Sequence, residues 1–228
     1  MAAGCPARGG RRGRDRVTGF EAAQVRELLA TGHWPRVRTL HNPFFRIADN
    51  ISSVWLARET LLAGDALILN GDTLVGPDLI RAALEHAVAP VSVTTVSKSE
   101  YDADDMKVTL SGSSVTAVSK KLPPGETDAE SIGMLVFRGE GGAQFADAID
   151  IAIAREGGTG NYYLSAVAEL AVQGLVGAAD VTGHPSAEVD FPADLPGARA
   201  LTASWSAADW AQRPSVVPFA APRRSRTS

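Results

Sequence analysis

Ala66-Leu-Ile-Leu-Asn-Gly-Asp72 is the stretch that indicates the fold of this sequence most directly. Its first four residues form a continuous apolar run, which is typical of a β-strand covered on both faces of a sheet. Gly71 turns the chain, and Asp72 follows at the end of the strand. A carboxylate there can hold a hard cation such as Mg²⁺, but an aspartate at this position can equally cap the turn.

The composition fits one domain with a single core. The 228 residues are 45% hydrophobic and 21% charged, with a net charge of −4. The mixed charges give no reason to expect a nucleic-acid partner, and no stretch approaches the roughly 18 apolar residues that span a bilayer. Cys5 is the only cysteine, which excludes an internal disulfide and a cysteine metal cage. We expect a cytoplasmic protein without a membrane partner, and the oligomeric state is left open.

The two ends differ from the rest of the chain. Residues 1–16 contain five arginines and lack the apolar run of roughly 7–15 residues that a signal peptide needs. We predict that this segment is disordered or mis-started, with a nucleic-acid arm as the lesser alternative. Residues 204–228 are rich in proline, serine and arginine, which predicts a disordered tail. The folded domain is therefore predicted to span residues 17–203.

Between these ends, strand and helix patterns alternate. The predicted strands cover residues 17–20, 37–40, 66–69, 91–96, 106–110, 115–119, 131–137, 179–181 and 188–190; the predicted helices cover residues 21–30, 50–62, 77–87, 141–155, 162–173 and a last segment from about 192. This alternation predicts an α/β fold with a largely parallel sheet, to which the hairpin at 106–119 adds an antiparallel part. Ligands of such sheets bind beyond the carboxyl ends of the strands, where Asp72 lies.

A second aspartate and three lysines are further candidates. Asp190 ends a predicted strand just before a helix, so it can bind a metal or cap the helix. Two aspartates at strand ends of one sheet are a stronger signal than either alone, and they can share one metal ion. Lys107, Lys120 and Lys121 flank the predicted hairpin, where they can neutralise phosphate charge or simply be solvated.

Other side chains give weaker signals. Glu130 begins a predicted strand and can bind a cation, or a hydroxyl or ammonium group of a substrate. Trp55, Tyr162 and Tyr163 can contact a base or an ammonium group, although packing in the core is the commoner role. The four histidines show no zinc spacing, and the sequence contains no nucleophile elbow, Walker A motif or Rossmann glycine fingerprint.

Seven short segments occur in a characteristic order: residues 17–20, 42–45 with 49–53, 69–73, 105–108, 119–122, 130–133 and 188–195. Together they resemble the bacterial phosphocholine cytidylyltransferase-like group of the sugar-phosphate nucleotidyltransferase (NTP-transferase) superfamily. The resemblance implies a Rossmann-like, mixed but mainly parallel sheet with flanking helices. It also implies that a phosphate oxygen of a small acceptor attacks the α-phosphorus of a nucleoside triphosphate, that pyrophosphate leaves, and that Mg²⁺ stabilises the phosphate charge.

The resemblance also assigns roles to individual residues. Asp72 and Asp190 would hold Mg²⁺, and Lys107 and Lys120 would lie near the acceptor or the phosphates. Glu130 would help to place the acceptor. The substrate-binding set is predicted to comprise Asn50, Ser52, Gly71 and Tyr162.

The first residues depart from the family pattern. The family begins with a strand and a glycine-rich loop that carries an arginine and, further on, a Lys-Pro pair. Residues 1–16 contain Gly9-Gly10 and arginines, but no preceding strand and no Lys-Pro. We therefore predict that the first strand, the phosphate loop and the first helix are missing, which would expose sheet edges. A catalytically impaired nucleotide-binding module and a glycosyltransferase-like domain that uses a nucleotide sugar are the alternatives.

Overall fold

The computed structural model describes residues 14–32 and 37–205. The strands are β1 (Arg14–Thr18), β2 (Val37–His41), β3 (Ala66–Leu69), β4 (Thr73–Val75), β5 (Val91–Val96), β6 (Lys107–Ser111), β7 (Ser114–Ser119), β8 (Ala129–Phe137), β9 (Val176–Asp180) and β10 (Ser186–Glu188). The helices are α1 (Ala22–Thr31), α2 (Asn50–Leu56), α3 (Arg58–Leu62), α4 (Pro77–His86), α5 (Gly141–Ala154), α6 (Leu164–Val172) and α7 (Leu195–Ala203).

Six strands form one mixed sheet in the order β3-β8-β5-β9-β7-β6. β8 runs antiparallel to both of its neighbours β3 and β5, whereas β5 and β9 are parallel. β3, β5 and β9 therefore point the same way, and their carboxyl ends lie at one edge of the sheet. The predicted mixed α/β fold with flanking helices is confirmed. More of the strand pairs are antiparallel than predicted, because β8 and the β6–β7 hairpin interrupt the parallel strands.

Helices pack on both faces of the sheet. Successive side chains of β8 point to opposite faces, so this strand contributes to the core on each side. Leu135 and Phe137 belong to the larger core, which α5 and α6 complete. Phe137 stacks on Phe145 of α5, with the ring centroids 5.0 Å apart. Met134 packs on the other face, against side chains of α4. β8 is therefore the strand that joins the two layers of the core.

Local sequence signals set several of the helix boundaries. The Asp49 carboxylate accepts a hydrogen bond of 2.6 Å from the N–H of Asn50 and so caps the start of α2. The predicted helix over 50–62 is in fact two helices, α2 and α3, divided at Ala57. Pro77 occupies the first turn of α4, as predicted. α5 begins at a glycine because a Cβ at Gly141 would lie 1.8 Å from the carbonyl oxygen of Pro90.

β3 lies at an edge of the main sheet, and this corrects one expectation. Its apolar run was expected to be covered on both faces, but Leu67 and Leu69 are 40% and 39% exposed. The cause is topological: among the described strands, β3 pairs only with β8. The parallel pair β1–β2 forms a separate sheet, and within residues 14–32 and 37–205 no strand joins β1 to β3.

The boundaries of the folded part also differ from the prediction. β1 begins at Arg14, three residues inside the segment 1–16 that was expected to be disordered, because residues 14–18 pair with residues 37–41. At the other end, the indole of Trp205 lies against the start of α4 at Gly76. Residues 1–13 and 206–228, which hold most of the two predicted disordered ends, lie outside the described residues. In the part of the chain that is described, no helix has the length and apolarity needed to cross a membrane.

Candidate functional site

A short pair of strands brings Asp72 and Asp190 to the same place. β4 and β10 pair antiparallel, with Thr73 opposite Glu188, and the N–H of Val189 donates a 3.0 Å hydrogen bond to the carbonyl of Asp72. Asp72 directly precedes β4, Asp190 lies two residues after β10, and both are exposed. The backbone segments that carry the two aspartates therefore lie close together beyond the end of β3, where ligands of α/β sheets bind.

Glu188 adds a third carboxylate that the sequence did not single out. Partial burial, followed by the charges of Asp72 and Asp190, raises the pKa of Glu188 above its usual value. The charges of Asp72 and Asp190 therefore disfavour ionisation of Glu188, and a bound cation would offset this effect. Among the described residues, no group of three or more histidine, cysteine, aspartate or glutamate side chains is arranged so that it could hold a metal ion. The donor set fits Mg²⁺, which usually takes one or two carboxylates and completes its shell with water and substrate phosphates.

A buried tyrosine links the aspartate loop to α2. The hydroxyl of Tyr163 donates a 2.8 Å hydrogen bond to the side-chain oxygen of Asn70, two residues before Asp72. The backbone N–H of Tyr163 donates a 2.9 Å bond to the side-chain oxygen of Asn50. Burial, then the charges of Asp72 and Glu188, raise the pKa of Tyr163, so it stays a neutral donor. Asn50 is therefore connected to the site through Tyr163, which was expected to be packed in the core.

Gly133 makes room for this network. It lies on β8 with φ +72, and its carbonyl accepts a 2.9 Å hydrogen bond from the N–H of Asn70. A Cβ at this position would lie 2.5 Å from the amide nitrogen of Asn70 and 3.0 Å from the hydroxyl of Thr73. The glycine therefore allows β8 to pass directly beneath the aspartate loop.

The remaining predicted substrate-binding positions differ in their surroundings. Gly71 is exposed, and a Cβ there would meet no atom within 4 Å, so the space beside the strand end is open. Ser52 is buried and its hydroxyl donates a 2.6 Å hydrogen bond to the carbonyl of Asp49, within the first turn of α2. Trp55 contacts the Arg58 guanidinium and donates to Asp150, so its ring already has protein partners.

The lysines at the hairpin have different environments. Lys107 is only 2% exposed, and its ammonium donates to the carbonyls of Lys120 (3.0 Å) and Ala103 (3.5 Å). The Lys120 ammonium lies 5.4 Å from the ring centroid of Tyr162, which is 46% exposed. The structure thus brings together three predicted site residues, of which Lys107 is buried, Lys120 is half-buried and Tyr162 is exposed.

Glu130 belongs to a cluster with Lys98 and Asp105. The Lys98 ammonium forms an ion pair with Glu130 and lies 3.4 Å from both carboxylate oxygens of Asp105. Burial raises the pKa of Glu130, whereas the pKa of Asp105 is lowered despite burial, by the N–H of Asp102 and by its side-chain neighbours. Because the charges of Lys98 and Asp105 also act on Glu188, this cluster lies near the aspartates.

Sequence reasoning missed Lys98, Glu188 and Asn70 as site residues. Lys98 follows β5 by two residues, so the strand-end rule that selected Asp72 would also have found it. Glu188 could be identified only from the β4–β10 pairing. The sequence does not predict this pairing, because β4 has only three residues and no clear strand pattern. The roles of the predicted residues stay predictions.

Solved structures share this fold, although no protein-family model and no curated protein sequence matches the chain. An inositol-1-phosphate CTP transferase from T. maritima superposes with a TM-score of 0.63 at 14% identity, covering 78% of this chain and 70% of that one. The CTP:phosphocholine cytidylyltransferase of Streptococcus pneumoniae gives 0.64 at 15% identity, covering 83% and 78%. A nucleoside-diphosphate-sugar pyrophosphorylase from Vibrio cholerae gives 0.57 at 18% identity, covering 80% and 78%. The chain therefore has the α/β fold of the nucleotidyltransferases that these structures represent.

Proposed function

We propose that this protein transfers a nucleoside monophosphate from a nucleoside triphosphate to a small phosphorylated acceptor and releases pyrophosphate. The observation that carries the proposal is the β4–β10 pairing, which brings the backbone segments of Asp72 and Asp190 close together beyond β3, in a fold shared with nucleotidyltransferases. The sequence resemblance selected the same two aspartates independently of the strand pairing. The proposal includes a cytoplasmic location.

In this proposal, Asp72 and Asp190 hold Mg²⁺, with Glu188 adding negative charge nearby. The ion, when bound, stabilises the charge that builds on the phosphates during transfer. Both aspartates are exposed, so bound water and phosphate oxygens can complete the coordination shell. Tyr163 and Asn70 keep the loop that carries Asp72 in one conformation.

The transfer needs no covalent bond to the protein. A phosphate oxygen of the acceptor forms a bond to the α-phosphorus, and the bond from the α-phosphorus to the bridging oxygen of pyrophosphate breaks, so that pyrophosphate leaves with the bonding electrons. The protein contributes position and charge. Lys120, which is half-buried with its ammonium over the ring of Tyr162, is the cation proposed to bind the phosphates. Glu130, which is paired with Lys98, is proposed to help to place the acceptor.

Cytidylyl transfer to phosphocholine is the finer proposal. It is supported by the sequence resemblance to the phosphocholine cytidylyltransferase-like group and by the shared fold with a cytidylyltransferase that uses phosphocholine. A sugar 1-phosphate is the other acceptor class to test.

Pyrophosphate release tests the proposal. The chain is incubated with Mg²⁺, each of the four nucleoside triphosphates, and either phosphocholine or a sugar 1-phosphate. We expect release that requires both the acceptor and Mg²⁺, and that is fastest with CTP. Asp72→Asn and Asp190→Asn should each lower the rate by about 100-fold or more, because each removes a metal ligand. Asp147→Asn, at an exposed position of α5, is the matched control and should keep the full rate.

Two other outcomes would replace the proposal. Transfer or hydrolysis of a nucleotide sugar without pyrophosphate release would identify a glycosyltransferase-like activity. Mg²⁺-dependent binding of a nucleotide, measured by calorimetry, without turnover of any acceptor would identify a binding module. In both cases the Asp72→Asn variant shows whether the same aspartates are used.

A further inference from the structure

Lys107 is buried in a way that ordinary core packing does not require. It begins β6 and lies between two strands, opposite Ser119 of β7 and Glu130 of β8. Its side chain is 2% exposed, yet the ammonium has no ion pair among those identified within residues 14–32 and 37–205. Burying a charge is unfavourable unless hydrogen bonds compensate it. The bonds available here are those to two backbone carbonyls.

These two carbonyls belong to segments on either side of β6. One is that of Ala103, in the segment that leads into β6, and the other is that of Lys120, directly after β7. The Lys107 ammonium therefore fixes the backbone of Lys120 relative to the start of β6. The side chain of Lys120 is held separately, with its ammonium 5.4 Å from the ring centroid of Tyr162.

The ring that holds Lys120 is adjacent in sequence to the hydrogen-bond network beside Asp72. Tyr162 immediately precedes Tyr163, whose hydroxyl binds Asn70 beside the aspartate loop. A chain of contacts thus runs from the buried Lys107, through the backbone and side chain of Lys120, to the tyrosine pair. Lys121, the next residue, is exposed.

We propose that Lys107 is a positioning residue, which fixes the backbone of Lys120 so that the Lys120 ammonium stands over Tyr162 as the phosphate-binding cation. The proposal rests on the proposed function for the identity of the ligand, since phosphate is the group that Lys120 would bind. It assigns the two lysines different tasks: Lys120 contacts the ligand, and Lys107 acts only through Lys120. Lys107 was predicted from the sequence to act directly.

The chemical reactivity of Lys120 tests the positioning without any ligand. The native protein is acetylated briefly at low reagent concentration, and the labelling of Lys120 relative to Lys121 is read by mass spectrometry. We expect Lys107→Met to raise this ratio at least threefold, because the Lys120 backbone loses its support. Tyr162→Leu, at an exposed position, should raise it as well, because the ammonium loses its ring. Lys107→Arg, which keeps a cationic donor, should restore part of the wild-type ratio.

Pyrophosphate binding tests the connection to the ligand. Lys107→Met and Lys120→Met should each weaken Mg²⁺-pyrophosphate binding about tenfold, and the double variant should bind no more weakly than Lys120→Met alone. Additive losses would overturn the proposal, because Lys107 would then act independently of Lys120. An unchanged labelling ratio in Lys107→Met would also overturn it.

The design separates this proposal from the proposed function. If wild-type protein binds no pyrophosphate, the proposed function fails, while the labelling ratio still decides whether Lys107 positions Lys120. Circular dichroism establishes that each variant is folded. Lys107→Gln, which is uncharged but keeps a donor, is measured in parallel. If Lys107→Met does not fold, Lys107→Gln is compared with the wild-type protein in its place.

Discussion

Replacing Gly133 by alanine should destabilise the protein through two separable effects. Gly133 has φ +72, and a left-handed conformation costs an alanine about 1–2 kcal/mol. The new Cβ would also lie 2.5 Å from the amide nitrogen of Asn70. Moving that amide breaks its bond with the buried hydroxyl of Tyr163, which costs about 1–3 kcal/mol. We therefore expect the free energy of unfolding to fall by about 2–5 kcal/mol.

Gly112 provides the matched control. It also has a positive φ, +62, but a Cβ there would meet no atom within 4 Å. Gly112→Ala should therefore cost only the conformational part, about 1–2 kcal/mol. Both variants are compared with wild type by urea unfolding, followed by circular dichroism and tryptophan fluorescence. The difference between the two losses measures the effect of the contact with Asn70.

A third variant removes the contact itself. In an Asn70→Ala background the amide is absent, so the loss caused by Gly133→Ala should fall to about that caused by Gly112→Ala. If Gly133→Ala and Gly112→Ala cost the same to within about 0.5 kcal/mol in the wild-type background, the reasoning about the Asn70 contact is refuted.

Three further predictions concern charge, hydrogen bonding and the sheet edge. The pKa of Glu188 is raised, so the folded protein binds this proton more tightly than the unfolded chain does. The stability that comes from this tighter proton binding is full below the usual pKa of 4.5, and it is lost as the pH rises through the raised value. Glu188→Gln should therefore raise the melting temperature at pH 7 but not at pH 4. Tyr163→Phe should lower the free energy of unfolding by about 1–3 kcal/mol, because it leaves the Asn70 side-chain oxygen without its donor. Tyr162→Phe, at an exposed position, should change the free energy of unfolding by less than about 0.5 kcal/mol. Leu67→Lys should reduce self-association in light scattering, because it places a charge on the exposed face of an edge strand.

Each of these three has an outcome that contradicts it. An equal gain at both pH values in Glu188→Gln would show that removing the charge is not the cause. Equal losses in the two tyrosine variants would mean that the hydroxyl of Tyr163 contributes nothing specific. Unchanged scattering by Leu67→Lys over a range of protein concentrations would show that β3 does not mediate association.

The parts of the fold that sequence predicted are those with strong local signals. The apolar run at 66–69 and the β-branched run at 91–96 are strands, and Pro77 begins a helix at the place expected. Asp72 was selected because it follows a strand, and that depends only on neighbouring residues. These features are set by backbone preferences and side-chain periodicity within one segment, and tertiary contacts did not override them.

The features that sequence did not predict depend on which segments meet. Asp72 and Asp190 are neighbours only because β4 pairs with β10, and a three-residue strand gives no periodic signal. Lys107 looked like other lysines, and its burial follows from its place between β7 and β8. The sequence of β3 predicts a strand that is covered on both faces, but whether it is covered depends on which distant segments of the chain pack beside it.

The position of β3 at the sheet edge also has a consequence for how the chain is made. Its only partner strand within residues 14–32 and 37–205 is β8, and Ala66 pairs with Phe137, 71 residues later. At roughly 5–20 residues per second, a ribosome needs about 4–14 s to add the intervening residues. During this time the apolar strand has been synthesised while its partner does not yet exist. The residues of the local hairpin β6–β7 are synthesised before β8 is complete, whereas β3 cannot pair until β8 has been made. We therefore expect the newly made chain to depend most on chaperones during this interval.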